Sequence, residues 1–218
     1  MKKIEKKLYI IRRQKEQSIF LYNYVKDLKP NVIVELGVGA GGYTVAMAQA
    51  LKEVNPSGKI HSYDILPLQS EPGDDDTPTC SRVHWMKERE LLGPKTEMEN
   101  RKLIDMWTFT EGDCHETFVK NPFAFDLLLI DASQDWNGIY KIVIENDFIN
   151  NQIQSGAKVI IEGGAKHHPV INTETFKEFS EQFDKSPFTY ECVAVGTNGI
   201  HTRSYVDMSS LSTLTLEK

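Results

Sequence analysis

The chain has 218 residues, a formal net charge of −6 and three cysteines. That length holds one domain with a substantial core, and the acidic balance argues against nucleic acid as a partner. No apolar run reaches the roughly twenty residues that span a bilayer, so no membrane partner is expected.

The basic opening, MKKIEKKLYIIRRQKEQ, has no apolar h-region and no small-residue cleavage site, which argues against a secretory signal. Cys80, Cys114 and Cys192 are scattered and form neither a disulfide framework nor metal-ligand spacing. Free thiols and a cytoplasmic location are the expectation.

Residues 3–28 read as one or two helices, with Ile4, Leu8 and Ile11, then Ile19, Phe20, Tyr24 and Leu28 at helical spacing. The apolar stripe on the basic N-terminal part suggests a homodimer. Pro30 stops the pattern, and strands and helices then alternate. NVIVELG is a buried strand, Tyr43 to Lys52 a helix, and KIHSYDI the second strand. WTFTEGD and FDLLLID are the third and fourth strands. A helix follows from about Trp136 to Asn150, and AKVIIEG is the fifth strand. Asn172 caps a helix that buries Phe176, Phe179 and Phe183. The last two strands, TYECVAV and IHTRSYV, are joined by GTNG, where Asn198-Gly199 signals a tight hairpin. The predicted fold is α/β: a Rossmann-like, doubly wound, seven-stranded, mostly parallel sheet with a C-terminal antiparallel hairpin. The expected organisation is a helical segment over 1–29 and one domain over 30–218. The latter carries an insertion at about 66–105, irregular at first and then a helix interrupted at Gly93-Pro94.

The stretch VIVELGVGAGGYT carries the chemistry. Gly37, Gly39 and Gly42 fit G-x-G-x-x-G between a strand and a helix, and Asp64 falls where a ribose-binding acid belongs. That alone would suit a nicotinamide-dependent oxidoreductase. Charge argues otherwise, because Glu35 stands two places before the first glycine and would repel a pyrophosphate. It suits a cationic ligand. S-adenosylmethionine carries an ammonium and a sulfonium and no phosphate, and its carboxylate can use the amides at the helix start.

On these residues the chain resembles class I S-adenosylmethionine-dependent methyltransferases. The longer stretch QSIFLYNYVKDLKPNVIVELGVGAGGYTVAMAQAL resembles the opening of small-molecule O-methyltransferases of the catechol type and their sugar and antibiotic relatives. The resemblance implies that Glu35 sits near the methionine end of the cofactor, with Gly37 and Gly39 forming the floor of the pocket and Gly41 also binding the cofactor. It implies that Asp64 accepts from the ribose hydroxyls, that Asp113 lies by the adenine amino group with Cys114 beside it, and that Asp131 faces the reacting methyl.

Methyl transfer to a hydroxyl needs alignment and removal of a proton. In the catechol-type group a divalent cation such as Mg2+ helps, held by an acid after strand four and an Asp-Asn pair after strand five. Here Asp131 matches, but strand five ends in Glu162-Gly163, which leaves Asp131 and Glu162 as the candidate ligands. The sugar-type group often has a His after strand four that this chain lacks. His167 and His168, after strand five, are the candidate general bases with Asp131. The expected activity is methyl transfer from S-adenosylmethionine to a small-molecule hydroxyl. The alternatives are an NAD(P)-dependent oxidoreductase and a methyltransferase-like domain that binds without turnover.

Overall fold

The computed structural model describes residues 15–65, 68, 92–132, 141–143, 145–162, 188–195 and 210–216. Helix α1 spans Lys15–Leu28 and strand β1 Val32–Leu36. Helix α2 covers Gly42–Val54, β2 Lys59–Asp64 and α3 Pro94–Asn100. Strand β3 is Trp107–Glu111, β4 Leu127–Ile130, α4 Asp147–Gln154 and β5 Lys158–Glu162. The first five strands form a parallel sheet in the order β3-β2-β1-β4-β5. The order reverses between β1 and β4, and a sheet of this kind opens its crevice there, beyond the carboxyl ends.

The alternation within β1 sorts its side chains to two layers. Ile33 joins the core beneath α1 and α2, with Leu21, Val25, Met47 and Leu51. Val34 and Leu36 join the opposite core, with Phe118, Ile149 and Ile153. Both faces are therefore covered, which is why β1 and β4 read as near-continuous apolar runs. Glu35 shares the Ile33 side of the strand and is fully buried.

The N-terminal helix belongs to the first of these layers. Tyr22 donates from its hydroxyl to Glu53 Oε2 at 2.7 Å, and Asn55 Nδ2 donates to the Pro30 carbonyl at 3.0 Å. These contacts set α1 parallel to α2, so the start of α1 lies at the glycine-turn end of the layer. Of the predicted 3–28 helical stretch, residues 3–14 lie outside the described residues.

Two expectations need correction. The helix foreseen from Trp136 to Asn150 is not continuous: Asn146 has extended backbone, and its side chain accepts from the Ile149 amide at 3.2 Å to start α4 afresh. An asparagine there competes for the backbone and caps a new helix better than it continues an old one. The expected tight turn at Asn198-Gly199 would set Val195 opposite Thr202. Instead Val195 of β6, Phe188–Val195, stands opposite Ser210, the first residue of β7, Ser210–Leu216. The expected strand IHTRSYV and the expected helix after Asn172 lie outside the described residues. In the insertion, the break foreseen at Gly93-Pro94 is the N-terminus of α3, with Gly93 at φ 85 and Pro94 at the first helical positions.

Candidate cofactor site

The glycine turn joins β1 to α2 at the point where the strand order reverses. Its three positive-φ glycines serve different ends. Gly37, at φ +90, lies against the end of β4: a Cβ there would stand 2.5 Å from the Asp131 carbonyl oxygen. Gly41, at φ +85, lies against the insertion helix, and its Cβ would meet Pro94 Cβ at 2.5 Å. Only at Gly39, φ +51, would a Cβ meet nothing within 4 Å. The turn thus packs tightly at both ends and is open in the middle, where a ligand could approach backbone.

Asp64 holds that open part in place. Its Oδ2 accepts from the Val38 amide at 2.8 Å and the Gly39 amide at 3.0 Å. Its carbonyl accepts from the Gly112 amide at 2.9 Å, linking the ends of β2 and β3. The Asp131 amide donates to the Leu36 carbonyl at 2.7 Å, which carries the β1–β4 ladder to the turn. Gly41, at the N-cap of α2, offers no side-chain oxygen to the first amides of that helix.

Glu35 lies beneath the turn. Thr44 Oγ1 donates to its carboxylate, 3.0 Å from Oε1 and 2.8 Å from Oε2, and Ser62 Oγ donates to Oε2. Trp107 Nε1 in turn donates to Ser62 Oγ at 2.8 Å. Sequence reasoning missed Thr44, Ser62 and Trp107. A signal existed, since the parallel register sets Ser62 directly opposite Glu35, and both are fully buried polar residues.

After β3, Asp113 is exposed and accepts from the His115 amide at 2.9 Å, opening a helical turn over His115–Val119. Cys114 is buried. Burial, with the Asp113 charge beside it, pushes its thiol up to about 11. Among the described residues, Asp113, Cys114 and His115 are the group whose ligand atoms lie close enough to hold a metal, all within 4.8 Å. Asp131 is not in that group. Glu162 ends β5, but its side chain lies outside the described residues, as do His167 and His168. The structure therefore gathers Glu35, Gly37, Gly39, Gly41, Asp64 and Asp131 around one turn, and sets Asp113 and Cys114 at the end of β3, two strands away from β1.

An open glycine turn at the reversal of a parallel sheet, with acids at the ends of β2, β3 and β4, fits a class I S-adenosylmethionine-dependent methyltransferase. The FtsJ-like methyltransferase family profile matches residues 2–194, and the chain belongs to that family. No curated protein sequence matches it significantly. Solved structures share its fold. Cofactor-bound Rv0187 from MTB is 14% identical, with a TM-score of 0.63 over 96% of this chain and 83% of that one. The O-methyltransferase TomG from Streptomyces achromogenes, in complex with SAM, is 14% identical with a TM-score of 0.59, over 93% and 80%. The O-methyltransferase from Bacillus cereus, in complex with SAH, is 14% identical with a TM-score of 0.60, over 92% and 80%. The nicotinamide reading gives way to this family assignment. No described helix is long and apolar enough to cross a membrane.

Proposed function

We propose that this methyltransferase moves the methyl group of S-adenosylmethionine to a hydroxyl oxygen of a small molecule. The observation that carries the cofactor half is the turn held on Asp64 with the Gly39 face open. The oxygen acceptor draws support from the O-methyltransferases among the structural neighbours. In the reaction the sulfonium–carbon bond breaks as the oxygen–carbon bond forms, and the hydroxyl proton passes to a base. The residues assigned to that half are Asp131, His167 and His168. On the cofactor side, Gly37, Gly39 and Gly41 floor the pocket and Asp64 serves the ribose. Asp113 and Cys114 serve the adenine, and Glu35 supplies negative charge near the methionine end.

The reading includes a sheet completed to seven strands by an antiparallel C-terminal pair. Supporting it are the registers of Val159 with Leu214 and of Tyr190 with Leu214. It includes an N-terminal segment over 1–29 layered on the domain over 30–218, with the insertion at 66–105 and the N-terminal helix shaping the acceptor pocket. The setting is cytoplasmic, in keeping with the free Cys114 thiol, and the partner is a small molecule rather than nucleic acid, in keeping with the net charge of −6. A homodimer through the N-terminal stripe is testable by sedimentation.

Calorimetric titration with S-adenosylmethionine, S-adenosylhomocysteine and NADH tests the cofactor. The expected result is micromolar binding of the first two and none of the third; binding of NADH alone would overturn it. A screen of hydroxylated acceptors with Mg2+ and with a strong chelator then tests the chemistry. Loss of activity on chelation would support a cation held by Asp131 and Glu162, and full activity in chelator removes it. Cofactor binding with no turnover on any acceptor favours the binding-domain alternative, for which Gly163 in place of a side-chain ligand already speaks.

A further inference from the structure

We propose that Trp107 and Ser62 are positioning residues for the charged end of the cofactor, acting through Glu35. The inference rests on the reading that the glycine turn takes S-adenosylmethionine.

Each donor in this chain has a fixed direction. An indole nitrogen only donates, so Trp107 Nε1, 2.8 Å from Ser62 Oγ, uses that oxygen as an acceptor. The single hydroxyl hydrogen of Ser62 is then left for Glu35 Oε2. Thr44 Oγ1 reaches both carboxylate oxygens from the other side. Glu35 comes from β1, and the residues that order its carboxylate, directly or through Ser62, come from α2, β2 and β3. Glu35, Thr44 and Ser62 are fully buried, and Trp107 is 8% exposed.

Complete burial changes what Glu35 can do. With no exposed surface, the carboxylate does not reach a ligand by contact. Its charge acts through space, and in a low-dielectric layer beneath the turn it is screened far less than a surface charge. Such an effect depends on where the charge is held. Trp107 stands outside the turn, yet it fixes the Ser62 hydroxyl that fixes Glu35. Its contact with Phe109, at 5.9 Å between ring centroids, gives it a packing role as well. The two roles are separable, because packing does not distinguish ligands by charge.

The test compares three ligands. S-adenosylmethionine carries an ammonium and a sulfonium, S-adenosylhomocysteine an ammonium only, and methylthioadenosine neither. Binding constants are measured for the wild type, Trp107→Phe, Ser62→Ala and Glu35→Gln, with thermal unfolding of each free protein as the check on folding. We expect Trp107→Phe and Ser62→Ala to weaken S-adenosylmethionine roughly three- to tenfold, the scale of one buried hydrogen bond, and to leave methylthioadenosine unchanged. Glu35→Gln should follow the same order of ligands with a larger effect. If Trp107→Phe and Ser62→Ala change all three ligands alike, or none, while Glu35→Gln remains selective, the positioning role falls and the cation site stands. If Glu35→Gln is unselective too, the placement of the cofactor's charged end at this turn falls with it. Should Trp107→Phe fail to fold, Ser62→Ala decides the matter alone.

Discussion

Two aspartates perform the same act at opposite ends of β1. At the amino end, Asp126 Oδ2 accepts from the Asn31 amide at 2.6 Å and the Val32 amide at 2.9 Å. At the carboxyl end, Asp64 Oδ2 accepts from the Val38 and Gly39 amides at 2.8 and 3.0 Å. In each case one oxygen gathers two consecutive amides from a neighbouring strand's connection. The surroundings differ. Asp126 steers a chain entering a strand, and no positive-φ glycine follows. Asp64 holds a turn whose Gly39 would carry a Cβ into open space. An identical hydrogen-bond pattern is thus scaffolding at one end and part of the proposed site at the other. What separates them is the backbone each one holds: only the amides on Asp64 belong to a turn of positive-φ glycines.

The comparison breaks most severely at Gly37. An added Cβ would meet the Asp131 carbonyl at 2.5 Å, at a φ of +90 that L side chains rarely adopt. Left-handed strain and overpacking together cost about 2–5 kcal/mol. Gly37→Ala should therefore lose cofactor binding and unfold many degrees below the wild type. Gly39→Ala is the contrast. It bears only the positive φ, about 1–2 kcal/mol, but puts a methyl on the open face. Its thermal midpoint should fall by only about 2–8 °C, while S-adenosylmethionine affinity falls roughly tenfold or more, a loss of about 1.4 kcal/mol at the least. Equal losses of stability in the two variants would show that the open face has no special standing.

The aspartates give the next largest effect. Asp126→Asn should lower unfolding free energy by about 1–2 kcal/mol, because a charge-assisted acceptor becomes a neutral one, with cofactor affinity unchanged. Asp64→Asn should cost similar stability and weaken S-adenosylmethionine as well. Urea unfolding and calorimetry on the same two proteins separate the outcomes. If both variants bind like the wild type, Asp64 is scaffolding too.

How far the sequence carried depends on which interactions are local. The strands were legible because buried parallel strands are short apolar runs, and β1 to β5 fall within the stretches foreseen. The glycine turn was legible because the φ it needs selects the residue. The reason for each glycine was not. Gly37 yields to Asp131 and Gly41 to Pro94, and both are contacts between segments far apart in sequence. The fate of Glu35 was half legible. Its charge stood out, but the two hydroxyls and the indole that order it come from three other elements. Asn146 as the start of α4 was missed because helical periodicity runs across it, while a cap is a statement about one side chain.

Cys114 sharpens the contrast between an acid-lined site and its walls. Its thiol is pushed up to about 11 by burial and by the Asp113 charge, so almost none is thiolate near pH 7. In a Cys80→Ser, Cys192→Ser background, iodoacetamide should modify Cys114 far more slowly than a free thiol compound. Fast labelling at neutral pH would contradict both its burial and its surroundings.

The smallest effect concerns His61, on the β2 strand that ends in Asp64. Burial, and then the Lys59 charge, lower its pKa below 6.5. Its ring meets Phe123 edge-on at 4.9 Å. The sign follows from proton counting. Between the lowered folded value and the unfolded value of about 6.5, the unfolded chain binds more protons, so stability rises with pH in that window. His61 therefore contributes fully above the unfolded value, and its contribution is lost as pH falls through that window. Urea midpoints measured from about pH 7.5 down to about pH 5.5 should fall for the wild type, and fall less for His61→Phe. Parallel curves for the two proteins would place the acid sensitivity elsewhere. A shallower curve for the variant would assign part of it to a strand that supports the site without touching the ligand.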